Sequence, residues 1–102
     1  MRKRGQLAYV REILKTYPEI MKKPEAERTV KEQRRLDIVN QALETVQHMT
    51  DSSARRKIIE LVYFQNAYTL YGAALQIPVG ERTAQRWNAE LMDLIAEMMD
   101  LP

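Results

Sequence analysis

The sequence predicts an all-α protein, a small bundle of about five helices that closes in a helix-turn-helix. Three observations predict it. Apolar residues recur at helical spacing over long runs, and β-branched alternation is scarce. Only three glycines and four prolines punctuate 102 residues. Near the C-terminus a small-residue pair, an apolar turn after a proline, and then Arg-Thr and Arg-Trp succeed one another at the offsets two closely crossing helices need.

The first helix is expected over about Gln6–Thr16, with Leu7, Val10, Ile13 and Leu14 as its inward stripe. Pro18 should end it, since proline lacks an N–H and clashes with the preceding turn. Lys22, Lys23 and Pro24 make a polar connection. The second helix should run from Pro24 or Thr29 to Met49. Leu36, Val39, Leu43 and Val46 repeat as in a coiled-coil seam, and Ile38 and Ala42 widen the stripe. Two heptads fit bundle packing or a dimer seam. Thr50-Asp51-Ser52-Ser53 breaks the chain with residues that cap helices. The third helix should span about Ser53–Gln65, with Ala54, Ile58, Leu61, Val62 and Gln65 on one face and Ile59 and Tyr63 flanking it. Asn66-Ala67-Tyr68 is a short connection.

Thr69 to Trp87 reads as helix, turn, helix. Thr69 can cap the first helix, which turns Leu70, Ala73, Ala74 and Ile77 inward. The alanine pair permits a close helix crossing. Pro78 stops that helix, Val79 plugs the corner, and Gly80 opens the next helix. Glu81 then suits the positive end of the helix dipole. Ala84, Trp87 and Leu91 point inward, continued by Leu94, Ile95 and Met98. The opposite face carries Glu81, Arg82, Gln85 and Arg86. Those side chains match base edges: Arg pairs with guanine, Gln with adenine, and Glu accepts from cytosine. A recognition helix over 80–90 would meet base edges with its N-terminal residues.

Composition limits the alternatives. Hydrophobic residues at 45% and charged residues at 29% suit a folded chain rather than a disordered one. There is no cysteine, which removes disulfides and Cys-based zinc sites and fits a reducing cytoplasm. Met1-Arg2-Lys3-Arg4 is basic, but Arg11, Glu12 and Lys15 interrupt the adjoining stretch, so no signal peptide is read. The lone His48 reads as structural or exposed. No phosphate loop, nucleophile elbow or metalloprotease motif is present, so no cofactor, metal or enzymatic activity is expected. Met92, Met98 and Met99, with Leu94, Ile95 and Leu101, suit core packing or a protein-binding patch.

Charge is distributed unevenly. Residues 1–57 hold 14 Lys and Arg against 8 Asp and Glu, and residues 58–102 hold 2 against 6. The proposed reader thus lies in a half of net charge −4, although DNA affinity rests largely on phosphate neutralisation. Three clusters could supply cations: Arg55-Arg56-Lys57, the arm Arg2-Lys3-Arg4, and Lys31 with Arg34 and Arg35. Each could equally be a solvated face.

Ile58-Ile-Glu-Leu-Val-Tyr-Phe64 together with Thr69–Trp87 resembles region 4 of sigma factors. The likeness extends to small late-gene transcription activators of phages of Gram-positive bacteria, of the RinA and ArpU type. Tyr17-Pro18, Arg82-Thr-Ala-Gln-Arg-Trp-Asn88 and Ile95-Ala-Glu-Met-Met-Asp-Leu101 add to it. The resemblance implies a phage or prophage transcription regulator acting on promoter DNA in the bacterial cytoplasm. By position, Glu81, Arg82, Thr83, Gln85 and Arg86 would face DNA, and Thr69 and Tyr71 would approach phosphates. Gly80 stands where that group usually has a capping Ser or Thr. On this division residues 1–50 form an N-terminal helical region for dimerisation or partner binding, and residues 51–102 the DNA-binding region. Double-stranded DNA is the expected partner. RNA polymerase and a second copy in a homodimer are further options. Two other readings stay open: a small terminase-like packaging or assembly protein, and a module that touches polymerase alone.

Overall fold

The computed structural model describes residues 3–100. Five α-helices run α1 (Arg4–Lys22), α2 (Val30–Gln47), α3 (Ser52–Ile59), α4 (Leu70–Gln76) and α5 (Glu81–Met98). A 3-10 turn at Glu25–Glu27 links α1 to α2, and α3 continues into a π-helical turn at Glu60–Phe64. No strand occurs among the described residues, so the fold is all-α. No helix among them is long and apolar enough to cross a membrane.

Helix α1 passes through Pro18 and ends four residues later. This corrects the expected stop. Proline still removes the amide that would bond to the Leu14 carbonyl, at a cost of about 3 kcal/mol in a helix interior. The extra turn buries Ile20. It also stacks Tyr17 on Phe64, with ring centroids 4.9 Å apart, and lets the Tyr17 hydroxyl donate to Asn40 Oδ1 at 2.5 Å. Those contacts hold the helix together past its weak point.

Helix α2 starts at the later of its two expected positions. The Glu32 amide donates to Thr29 Oγ1 at 3.1 Å and the Thr29 amide to Glu32 Oε1 at 3.0 Å, a reciprocal cap. Lys23 Nζ reaches the second Glu32 oxygen at 2.7 Å. Leu36, Val39, Leu43 and Val46 are all buried within this chain, the last three in a core shared with α1, α3 and α5. The seam is therefore bundle packing.

The Thr50–Ser53 break does not cap as expected. Asp51 takes a left-handed conformation (φ 56°) and its side chain makes no capping bond. Helix α3 also ends differently. The Gln65 amide bonds to the Glu60 carbonyl, five residues back, and this wider turn shifts the helical phase. Tyr63, expected at the flank, is buried, whereas Gln65, expected inward, is exposed. Asn66 then closes the helix at φ 51°, a conformation Asn tolerates better than most residues.

Two apolar clusters result. One joins α1, α2, the Ile59 and Tyr63 face of α3, and the Leu91–Ala96 part of α5. The other joins Ile58 and Leu61 to Ala73, Ala74, Ala84 and Trp87. The first cluster draws on residues from both sides of residue 50, and the second lies wholly beyond it. Met92 is buried and Met98 and Met99 pack half-buried against the first cluster. Leu101 lies outside the described residues.

Candidate nucleic-acid interface

Helix α4 is short and opens with Thr69, whose Oγ1 accepts from the Gly72 amide at 3.1 Å. Ala73 and Ala74 are fully covered, and α5 crosses over them through Ala84 and Trp87. A side chain larger than methyl would separate the two helices there. The turn is fastened by the Val79 amide on the Ala74 carbonyl at 2.8 Å, with Ile77 and Val79 packed against the same cluster. Helix α5 begins after Gly80 without a side-chain cap. Gly80 has ordinary extended backbone, and a Cβ there would meet only Thr83 Oγ1 at 3.8 Å.

With Ala84 and Trp87 pinned inward, Glu81, Arg82, Gln85 and Arg86 stand exposed on the far side of α5, and Thr83 is half-buried. Arg86 lies 3.7 Å from Glu90, one turn on. Exposed ion pairs of this kind are weak, so Arg86 keeps its freedom to bind elsewhere. On α4, Tyr71 is exposed, as are the neighbouring Tyr68 and Leu75.

The Arg55–Lys57 cluster divides. Arg55 lies over Trp87, 5.0 Å from the ring centroid. Its Nη1 bonds Glu90 at 2.9 Å and its Nε donates to the Thr50 carbonyl at 2.8 Å. Its cation is spent inside the fold, joining α3 to α5. Arg56 is exposed and pairs with Glu60 at 3.3 Å, and Lys57 is exposed. On α2, Arg35 lies over the Tyr9 ring, while Lys31 and Arg34 are exposed. In the N-terminal arm, Lys3 precedes α1 and Arg4 starts it. Arg2 lies outside the described residues. His48 is exposed at the end of α2. No group of side chains suited to hold a metal occurs among the described residues.

The structure adds two cations that sequence reasoning misses. Arg11 and Lys15, one turn apart on α1, line an open cleft with Asn66, Tyr68, Thr69 and Asn88. Tyr63 lines it as well, and its hydroxyl donates to Asn88 Oδ1. Burial pushes the Tyr63 pKa up, opposed by the nearby Arg11 charge and by these hydrogen bonds. The one signal in the sequence is the i, i+4 spacing of Arg11 and Lys15 opposite the buried stripe. It says nothing of the distant segment that the helix will meet.

No family model, curated protein or solved structure matches the chain.

Proposed function

We propose that the protein is a DNA-binding transcription regulator, phage- or prophage-encoded, that reads promoter DNA through the start of α5 over 80–90. One observation carries the reading. Ala73 and Ala74 are buried beneath Ala84 and Trp87, so α4 and α5 cross closely and Glu81, Arg82, Gln85 and Arg86 project together from the first turns of α5. That geometry lets a helix enter the major groove. The exposed groups have the donors and acceptors that base edges require. Thr69 and Tyr71, at the start of α4, are placed to approach the backbone.

The test is selection of bound sequences from random duplex DNA at stated salt, and then Arg82→Ala and Arg86→Ala on the selected site. Each substitution should cost about 1–3 kcal/mol there and relax preference at one position. Unchanged affinity and preference in both variants would show that this helix is not the reader.

A second reading is a module that touches RNA polymerase. The exposed Tyr71 and Leu75, 55% and 61% accessible on α4, favour it because apolar surface of this kind suits protein contact. Failure to retard any duplex at low salt, together with capture of polymerase, would select it.

A further inference from the structure

We propose that the cleft between α1 and the start of α4 is a clamp for the DNA phosphate backbone, with Arg11 and Lys15 as its cations. This rests on the reading of α5 as the recognition helix. Four observations lead there.

First, the reading helix lacks charge. Its half of the chain carries only Arg82 and Arg86 as cations, and the adjacent Arg55 is committed to Trp87 and Glu90. Second, the fold brings N-terminal charge to the motif. Helix α1 packs on α5 and on the π-helical turn, and its Arg11 and Lys15 share a wall with Thr69, Leu70 and Asn88.

Third, the lining is suited to an anion. It holds two cations, the polar groups of Asn66, Tyr68, Thr69 and Asn88, and no carboxylate. Arg11 and Tyr63 line the same cleft, and the Arg11 guanidinium offers five donors in a planar fork. Fourth, the position is right. Asn88 lies three residues beyond Gln85, about 4.5 Å along the same helical face. In this motif the first helix crosses the sugar-phosphate backbone while the second lies in the groove. A strand bordering the groove read by Gln85 would pass the start of α4, where the cleft opens. The N-terminal helix is then part of the DNA-binding surface.

The full chain tests this with fluorescein-labelled duplexes, one of selected and one of random sequence, titrated across a salt series. Lys15→Gln removes one phosphate contact. It should weaken binding to both duplexes equally and flatten the slope of log affinity against log salt by about 1. The pair Arg11→Gln and Lys15→Gln should flatten it by about 2, with sequence preference retained. Lys15 is exposed, so Lys15→Gln should fold even if the change at Arg11 disturbs Tyr63. An unchanged slope in Lys15→Gln, while Arg82→Ala still weakens binding, overturns the clamp and leaves the reading helix standing. A wild-type chain that binds no duplex at low salt overturns both.

Discussion

The Arg55 guanidinium lies against the Trp87 ring and Glu90, with 11% of its side chain exposed. A cation–π contact of this kind contributes about 0.5–2 kcal/mol, and a hydrogen bond to a charged group adds about 1.5–3. Arg55→Ala should therefore destabilise the protein by about 2–3 kcal/mol in urea titration, with an unchanged m-value. Arg56→Ala, at an exposed pair, should stay within about 0.5 kcal/mol. Equal effects would deny Arg55 its structural role. At Glu32, the Lys23 bond, and after it the Thr29 amide, holds the carboxyl below its ordinary pKa. A pKa lowered on folding gives stability that is present above the unfolded value and is lost as pH falls through the folded one. The wild type should melt higher than Glu32→Gln at neutral pH, and the gap should narrow as pH drops through the acid range. A gap constant with pH would rule this linkage out. Residue-level legibility is uneven. The Thr69 cap and the exposure of Glu81, Arg82, Gln85 and Arg86 follow from local sequence. The inward turn of Arg55 depends on Trp87 and Glu90, more than thirty residues away.

Among the elements, α2, α4 and α5 are legible because their signals are local: apolar stripes for α2 and α5, and for α4 a capping Thr with a small pair before a proline. Helix α1 departs from its local signal at Pro18, where tertiary contacts of Tyr17 and Ile20 outweigh a local penalty. Restoring the amide should show this. Pro18→Ala relieves the ring's clash and regains the bond to the Leu14 carbonyl, together worth about 3 kcal/mol, but frees the unfolded chain at a cost of about 0.4–1. The net expectation is a stabilisation of about 2 kcal/mol in chemical denaturation, and a loss of stability would refute it. The π-helical turn after α3 carries no sequence signature. One extra residue in the turn rotates Tyr63 toward α1 and α2, while Ile58 and Leu61 keep facing α4 and α5. Helical periodicity assumes a constant phase, so it puts Tyr63 only at the flank and turns Gln65 inward.

At the scale of the whole molecule, the second apolar cluster lies wholly beyond residue 50, but the first draws on both sides of it and shares α3 and α5 with the second, so the N-terminal half has no complete core of its own. Unfolding should be one transition. Trp87, the sole tryptophan, sits in the second cluster, so its fluorescence reports the helix-turn-helix while far-UV circular dichroism reports every helix. The two urea curves should coincide, and separated midpoints would restore a boundary near residue 50. The exposed face of Glu81, Arg82, Gln85 and Arg86 can be drawn from sequence because it is contiguous. The basic cleft cannot, because Arg11 and Lys15 meet Thr69 and Asn88 only through packing that joins the two ends of the chain. That union of α1 with α5 also sets a timetable. At about 5–20 residues per second of synthesis, α1 leaves the ribosome roughly 4–15 seconds before the helix that completes its core. During that interval Val10, Ile13 and Leu14 have α2 to pack on but lack α5, which completes their burial. The nascent chain therefore carries part of that stripe uncovered until α5 emerges.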